Sequence, residues 1–251
     1  MNVSELDDWA LSVLEVYNFA KDSTYSYWYD FIRLNLQNIP GDLLEIGVYR
    51  GRTLCATASL LRDLHPELRL FGFDSFSGFP PKPHPNDSFE LFQDMHSSGL
   101  ISDEHFKRIQ LNSNLLEIIG RNTNSHSSSS SGNFSGTSRQ LVEAKLDFLS
   151  LTNTVLVEGD IAETMNADNL PDNIAAIFLD ADLYLPYKTT LEHAFPRLSP
   201  GGFIFLDEYY SLKFPGPRIA VNEFVASTPN ASLTCIQRSP SQFERWILVK
   251  S

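Results

Sequence analysis

A repeated alternation of short apolar runs with helical stretches constrains the fold of this chain more than any other feature. The run LLEIGV is followed by a glycine-containing turn, by the helical stretch GRTLCATASLLRDLH and by a second apolar run, RLFGFDSF. Such an alternation predicts right-handed crossover connections between parallel strands. Three further apolar runs continue the series: TNTVLVEGD, NIAAIFLDAD and FIFLDEYY.

The end of the chain departs from this alternation. Two β-rich runs within residues 231–250 are joined by SPSQ, which is typical of an antiparallel hairpin. Five parallel strands and a terminal hairpin predict one doubly wound α/β sheet with helices on both faces. The chain has 251 residues, of which 42% are apolar, and it can bury a substantial core. We therefore expect a single domain that spans residues 1–251.

Two regions lie outside the alternation. Apolar spacing over 5–20 and 24–37 predicts N-terminal helices within residues 1–38. Residues 80–140 combine a proline-rich loop with a serine-rich stretch, and we expect a variable cap or insertion there. The stretch 121–139 contains almost nothing that can be buried, which predicts a mobile surface loop and favours an inert segment over a lid. Further helices are predicted at 87–98, 103–119, 187–197 and 217–227.

Composition and charge exclude several classes of function. The formal net charge is −12 and no stretch concentrates lysine or arginine, so we expect no binding to nucleic acid. The acidic N-terminal sequence is unlike a signal peptide, and no apolar stretch has the length of a membrane span. Cys55 and Cys235 form no C-x-x-C pattern, so we expect buried thiols. A cytoplasmic protein with no membrane partner is the expectation.

The loop after the first predicted strand has the pattern E-x-G-x-x-x-G, in which Gly47 and Gly51 flank Tyr49. Ligands of doubly wound sheets bind beyond the carboxyl ends of the strands, where this loop stands. Glycines let the backbone approach a ligand closely and direct a helix N-terminus at it, although a structural turn explains them nearly as well. The spacing is not the G-x-G-x-x-G of NAD-binding proteins, which disfavours a nucleotide-dependent oxidoreductase.

Aspartates end the second and third predicted strands. Asp74 is placed to accept hydrogen bonds from both hydroxyls of a ribose, as in enzymes that bind NAD or S-adenosylmethionine. Asp160 follows Gly159 and would lie within reach of an adenine edge in that geometry. A helix N-cap is a second interpretation of each aspartate.

Carboxylates also end the fourth and fifth predicted strands. Asp180 ends the fourth, and Asp207 and Glu208 end the fifth. Neighbouring parallel strands lie about 4.8 Å apart, so these side chains converge and, if unpaired, repel one another. All-oxygen ligands suit Mg²⁺, Ca²⁺ or Mn²⁺, and the sequence therefore predicts a divalent metal site. The alternative is partial pairing with arginine or lysine, together with solvation.

Five motifs occur in a set order: IPGDLLEIGVYRGRT, FGFDSFSGFP, VEGDIAET, FLDADLY and FPRLSPGGFIFLDEY. Together they resemble the TylF/MycF/NovP-type enzymes, the macrocin O-methyltransferase family, over about residues 25–225. The resemblance implies a Rossmann-like class I methyltransferase sheet. It also implies methyl transfer that depends on S-adenosylmethionine and a divalent cation, with a sugar hydroxyl of a glycosylated natural product as the acceptor.

The resemblance also implies roles for individual residues. It makes Asp180, Asp207 and Glu208 the ligands of Mg²⁺ or another divalent cation, although the family usually has aspartate in place of Glu208. Arg52 and Thr53 likewise depart from the more usual Gly-Ser. The residues implied to bind S-adenosylmethionine are Glu45, Gly47, Tyr49, Gly51, Asp74, Ser75, Phe76, Gly159, Asp160 and Asp180.

The implied reaction needs a group that accepts the proton of the acceptor hydroxyl. Asp182 is the candidate catalytic base, beside Asp180, because it lies just beyond a metal ligand. A helix N-cap, or a residue that supports the metal ligands from behind, is an equally good interpretation of Asp182. Arg218 is a candidate contact to the substrate or to a carboxylate.

Several alternatives stay open. The acceptor is expected to be a small-molecule hydroxyl, with a phenol or catechol-like diol as the alternative to a sugar. A nucleotide-dependent oxidoreductase and a non-catalytic binding protein are the other functions that the same fold could serve. Because members of the family are commonly oligomeric, we also expect a homo-oligomer, with the N-terminal helices as a candidate interface.

Overall fold

The computed structural model describes residues 6–21, 24–120, 133–237 and 243–250, and its centre is a seven-stranded sheet. The strands are β1 (Asp42–Ile46), β2 (Leu70–Asp74), β3 (Thr154–Glu158), β4 (Ile174–Leu179), β5 (Leu198–Leu206), β6 (Ala231–Gln237) and β7 (Arg245–Lys250). Their order in the sheet is β3-β2-β1-β4-β5-β7-β6. The first five strands in chain order pair in parallel, whereas β7 pairs antiparallel with both β5 and β6.

This order confirms the predicted doubly wound sheet and its C-terminal hairpin, whose SPSQ turn lies outside the described residues. The chain builds outward from β1 to β3 and then returns to place β4 on the other side of β1. In register, Leu44 of β1 pairs with Phe71 of β2 on one side and with Ile177 of β4 on the other. The order of strands therefore reverses between β1 and β4, and ligands of such sheets bind at this point.

Most of the helices connect successive strands along the chain, and the others precede the first strand. Short 3₁₀ turns at Leu36–Asn38, Pro85–Asp87, Phe195–Arg197 and Asp207–Tyr210 complete the secondary structure of the described residues. The helices are α1 (Asp8–Leu14), α2 (Ser26–Leu34), α3 (Arg52–Leu64), α4 (Leu91–Ser97), α5 (Asp103–Ile118), α6 (Arg139–Phe148), α7 (Ile161–Thr164), α8 (Tyr184–Ala194) and α9 (Gly216–Ser227).

Burial on both faces explains the continuous apolar sequence of the central strands. Every residue of β4 is buried, as expected for a strand covered by helices above and below. On one face, Phe178 of β4 and Phe205 of β5 stack with their ring centroids 5.2 Å apart. Trp28 of α2 packs against Phe178, and its indole N–H donates to the Thr57 hydroxyl of α3 at 3.0 Å. The N-terminal helix α2 is therefore part of the core.

One helix that the sequence did not predict follows the serine-rich stretch. The Ser138 hydroxyl caps α6 by accepting a hydrogen bond from the Leu141 amide at 3.1 Å, and Val142 and Leu146 are buried. Residues 121–132 of the predicted loop lie outside the described residues. At Phe134 the composition was misleading, because this side chain is half-buried against other aromatic rings.

In the described parts of the chain, no helix is both long and apolar enough to span a bilayer. The two cysteines form no disulfide: Cys55 is buried in α3 and Cys235 is half-buried in β6.

Candidate active site

A cavity of about 810 Å³ opens at the carboxyl ends of the parallel strands. Its walls come from the loops that follow β1, β2, β3, β4 and β5, so it lies where the strand order reverses. Three of the predicted cofactor residues lie behind the wall and do not line it: Glu45, Gly51 and Phe76. The predicted residues that line the cavity are Gly47, Tyr49, Asp74, Ser75, Gly159, Asp160, Asp180, Asp182, Asp207 and Glu208.

Gly47 is required by the close approach of two strand-end loops. Its φ is +91°, and a Cβ on its backbone would lie 1.9 Å from the carbonyl oxygen of Asp180. The turn after β1 and the turn after β4 are thus in direct backbone contact. Gly51, with a φ of +73°, precedes the first residue of α3 and turns the chain into that helix.

Glu45 is a fully buried acid that supports the loop from behind. The Thr53 hydroxyl, which itself lines the cavity, donates to Oε1 of Glu45 at 2.5 Å. Oε2 of Glu45 has no hydrogen-bond partner among the described residues. Burial raises the pKa of Glu45 to about 8, and the hydrogen bond from Thr53 opposes this rise. The departure to threonine at residue 53 therefore keeps a hydroxyl between the buried acid and the cavity.

Asp74 links the loop after β1 to the loop after β2 by hydrogen bonds. Its Oδ2 accepts a hydrogen bond from the Tyr49 amide and its Oδ1 accepts one from the Phe76 amide, both at 2.7 Å. No helix begins at Asp74, so the N-cap interpretation does not apply to it. Burial raises the pKa of Asp74, and these amides act in the opposite direction. Each carboxylate oxygen keeps accepting capacity for a ligand hydroxyl, because an ionised oxygen has two lone pairs.

Asp160 does cap a helix. Its side chain accepts a hydrogen bond from the Ala162 amide at 2.8 Å at the start of the short helix α7. The side chain is exposed and also lines the cavity, so capping and ligand contact are compatible at this residue.

The carboxylates of Asp180, Asp207 and Glu208 form one cluster. Each offers an oxygen, and the three oxygens lie within 4.8 Å of one another. Burial, followed by repulsion from Asp207, raises the pKa of Asp180 well above its usual range. Burial also raises the pKa of Asp207. The Tyr187 hydroxyl accepts a hydrogen bond from the Glu208 amide at 3.0 Å and so fixes the backbone of this corner.

Two cations reach this cluster, and sequence reasoning found neither of them. Arg245, at the start of β7, donates to Oδ1 of Asp207 at 2.5 Å. The Lys213 ammonium lies 3.4 Å from Oε1 of Glu208 and 3.9 Å from Oδ1 of Asp182. The signals in the sequence were weak, since Lys213 stands in a loop and Arg245 is 38 residues from Asp207. Pairing of the carboxylates with lysine and arginine, the alternative to a metal site in the sequence analysis, therefore occurs in part.

The donor set still fits a divalent cation. With all groups ionised, four carboxylates (Asp180, Asp182, Asp207 and Glu208) and two cations (Lys213 and Arg245) give −4 and +2, a net charge of −2. The cation would balance that charge, and carboxylate oxygens are its preferred ligands. Asp180, Asp207 and Glu208 would hold it.

Asp182 is buried and does not cap α8. Its exposed fraction is 7%, and its φ of +58° is unusual for a residue other than glycine. The Tyr184 amide at the start of α8 donates instead to Oδ1 of Asp87 at 2.7 Å. Burial raises the pKa of Asp182 to about 8, while Lys213 lowers it and Glu208 raises it further. The N-cap interpretation is wrong, and a base or a supporting residue is left.

Arg218 lies away from the cavity. Its guanidinium stacks over the Tyr209 ring, 4.5 Å from the centroid, and contacts the Tyr209 carbonyl oxygen at 3.4 Å. Burial lowers its pKa. Arg218 is not among the described residues that line the cavity, so its contact to the substrate or to a carboxylate stays a prediction.

Comparison with known proteins gives a family for this fold and site. The sequence profile described as "Methyltransferase domain" matches residues 44–209. Mycinamicin III 3''-O-methyltransferase of Micromonospora griseorubida is 27% identical over 187 residues, which are 74% of this chain and 61% of that protein. The 8-demethyl-8-(2,3-dimethoxy-alpha-L-rhamnosyl)-tetracenomycin-C 4'-O-methyltransferase of Streptomyces olivaceus is 29% identical over 173 residues, 68% of this chain and 54% of that protein. The chain thus spans little more than half the length of these relatives.

Solved structures agree on the fold. The O-methyltransferase NovP superimposes with a TM-score of 0.59 and 22% sequence identity, over 89% of this chain and 79% of that one. The sheet order and the antiparallel β7 are those of the class I methyltransferase fold. The resemblance that the five motifs indicated is confirmed: the chain belongs to the methyltransferase-domain family.

Proposed function

We propose that this protein is an S-adenosylmethionine-dependent O-methyltransferase that acts on a hydroxyl of a small molecule, namely a sugar of a glycosylated natural product. The observation that carries the proposal is one cavity lined by two chemically different groups of residues. The glycine turn and Asp74 suit a nucleoside with an amino acid tail. The buried carboxylate cluster, which the Asp180 turn brings into contact with the glycine turn, suits a cation and an acceptor hydroxyl.

The chain's own residues have separate tasks in this proposal. Asp74 accepts hydrogen bonds from the ribose hydroxyls, and Gly47 lets the backbone approach the methionine part of the cofactor. Asp160 lies on the adenine side. These contacts would hold the sulfonium methyl in line with the acceptor oxygen, and positioning of this kind supplies much of the rate in transfer reactions.

Proton removal falls to the carboxylate cluster. A divalent cation bound by Asp180, Asp207 and Glu208 would supply Lewis acidity and lower the pKa of the acceptor hydroxyl. Asp182 would accept that proton at a carboxylate oxygen. Lys213 holds Asp182 and Glu208 in place, since its ammonium lies between them.

A sugar acceptor is supported by the relatives. One of them is named as a 4'-O-methyltransferase of a rhamnosyl-bearing tetracenomycin. No described contact at the cavity requires a phenol or a catechol, so that class enters as the competing arm of the test.

Methyl transfer from trideuteromethyl-labelled S-adenosylmethionine, read by mass spectrometry, tests the proposal. The acceptor panel contains rhamnosides and catechols, each assayed with Mg²⁺ and with EDTA. We expect labelled sugar product only with the cation, and a loss of about a hundredfold or more in Asp180→Asn. The exposed acid Asp172, changed to asparagine, is the matched control and should retain activity. Label on catechols alone would overturn the sugar assignment, and no label on any acceptor would overturn the transferase itself.

A further inference from the structure

Residues 133–138, named the strap here, are tied to two loops of the cavity. The Phe79 amide donates to the Asn133 carbonyl oxygen at 2.9 Å. Arg50 donates to the Gly136 carbonyl oxygen at 2.7 Å. The Thr137 hydroxyl donates to the carbonyl oxygen of Tyr49. The strap therefore joins the loop after β1 to the loop after β2.

Phe134 is the residue of the strap that lines the cavity. Its φ is +59°, a left-handed conformation that costs a residue with a side chain about 1–2 kcal/mol. Backbone strain of this kind persists where the surroundings hold it, and the three strap contacts do so here. Asn133 adds an internal turn, because its Oδ1 accepts hydrogen bonds from the Ser135 amide at 3.2 Å and the Ser135 hydroxyl at 2.7 Å.

The ring of Phe134 completes an aromatic wall formed by Tyr49, Phe79 and Phe134. Its centroid lies 5.2 Å from the Tyr49 ring at 84° and 5.1 Å from the Phe79 ring at 46°. Phe79 in turn packs edge-on against Phe214 at 5.5 Å, next to Lys213 of the carboxylate cluster. The ring contacts therefore lead from Tyr49, whose amide bonds Asp74, to Phe214, whose ring lies 5.7 Å from the Lys213 ammonium.

This wall contrasts with the charge around it. Its three rings line the same cavity as Asp180, and all three are only half-buried. Aromatic faces bind apolar surface and other rings, and cavity walls of this kind orient a ligand whose polar groups are fixed elsewhere. A ligand with its hydroxyl at the carboxylates would therefore place an apolar ring or substituent on the wall.

We propose that Phe134 is a specificity-determining residue for the acceptor, and that the acceptor carries an apolar, ring-bearing group beside the sugar hydroxyl that reacts. The inference rests on the proposed function for the identity of the acceptor. Within that function it selects glycosides with an apolar aglycone over the bare sugar.

Titration calorimetry with two rhamnosides tests this assignment. The probes are 4-nitrophenyl and methyl α-L-rhamnopyranoside, which share the sugar and differ in the group on the wall. We expect the wild-type protein to bind the aryl glycoside about three- to tenfold more tightly, the value of one aromatic contact. Phe134→Ala should bind the two equally, and Phe134→Tyr should retain the preference. Phe148, half exposed on α6 and outside the cavity wall, gives the control Phe148→Ala, which should behave as the wild type.

Binding of S-adenosylhomocysteine separates the other outcomes. Phe134→Ala should bind S-adenosylhomocysteine as tightly as the wild type; an equal loss for cofactor and glycoside would make Phe134 a cofactor contact and overturn the assignment. Equal binding of both glycosides by the wild type, binding of neither, or a preference kept by Phe134→Ala would also overturn it. The titrations are run with and without S-adenosylhomocysteine. Glycoside selectivity in a protein that transfers no methyl group would then refute the proposed function and leave the role of Phe134 intact.

Discussion

At the scale of single residues, the buried acid Glu45, which lies near the end of β1, makes the stability of the protein depend on pH. Because its pKa is raised to about 8 in the folded state, the folded protein binds more protons at Glu45 than the unfolded chain between about pH 4.5 and pH 8. Ionisation of Glu45 therefore does not lower the free energy of unfolding below this window, and it lowers that free energy progressively as the pH rises through it. At about pH 9 the ionised form would cost about 5 kcal/mol.

Replacing Glu45 by glutamine should remove this dependence. We expect Glu45→Gln to be close to the wild type in stability near pH 5 and more stable near pH 9, measured as melting temperature without cofactor. Glu117, exposed on α5, provides the control Glu117→Gln, which removes a surface carboxylate in the same way. A Glu45→Gln difference that is constant across the range would contradict the raised pKa.

Sequence reasoning at this scale found the carboxylates and missed their partners. The sequence predicted the positions of Asp74, Asp180 and Asp207 because each of them directly ends an apolar run. The positions of Lys213 and Arg245 were not predicted, because their approach depends on how a loop and a hairpin pack after the sheet has formed. Periodicity carries no information about such long-range pairs.

At the scale of elements, the contact between the turns after β1 and β4 fixes the floor of the cavity. Gly47→Ala would bring its Cβ to 1.9 Å from the Asp180 carbonyl oxygen, so the two turns must separate. We expect a loss of about 3 kcal/mol or more in the free energy of unfolding, measured by urea denaturation.

The variant Gly99→Ala separates the cost of a steric clash from the cost of a left-handed backbone conformation. Gly99 also has a positive φ, of +75°, but a Cβ there would meet nothing within 4 Å. Gly99→Ala should therefore cost only the strain of a left-handed residue, about 1–2 kcal/mol. Equal losses for Gly47→Ala and Gly99→Ala would show that the turns are not in contact.

The elements themselves were predicted unevenly. The strands and the helices α5 and α9 followed from apolar runs and clear periodicity. The N-terminal helices are shorter than predicted, since α1 ends at Leu14, before Glu15 in a left-handed conformation, and α2 gives way to a 3₁₀ turn. Helix α6 was missed because it has only ten residues and begins at Arg139, within the stretch 121–139 that was predicted as a loop.

At the scale of the whole molecule, Arg245 joins the C-terminal hairpin to the site and to the N-terminal region. The Arg245 and Asp207 side chains are only 11% and 10% exposed, and Arg245 also lies over the Tyr25 ring at 5.4 Å. Tyr25 packs edge-on against Phe178 in the core. The N-terminal segment at Tyr25 and strand β7 therefore meet beside Asp207.

Removal of Arg245 alone should destabilise the protein more than removal of both charges of the ion pair. We expect Arg245→Met to lower the free energy of unfolding by about 3 kcal/mol in EDTA, since it leaves a buried carboxylate uncompensated. Asp207→Asn added to Arg245→Met should restore most of that loss. Urea denaturation of the two single variants and the double variant gives the coupling, and strictly additive effects would contradict it.

The architecture was the most predictable part of the protein. Alternating strands and helices, with a β-rich end, were enough to give the sheet and its hairpin, because crossover handedness leaves few other topologies. The homo-oligomer and the cytoplasmic location stay predictions, as does the single domain over residues 1–251.

Binding of S-adenosylhomocysteine, measured by calorimetry, tests the central claim most directly. The account predicts one site per chain with a micromolar dissociation constant, and binding weakened about thirtyfold or more in Asp74→Ala, which loses the ribose acceptor and the amide contacts of Tyr49 and Phe76. Melting of Asp74→Ala in the absence of ligand separates a lost contact from a lost fold. Absence of any heat with the wild-type protein, or tight binding of NADH in its place, would contradict the account.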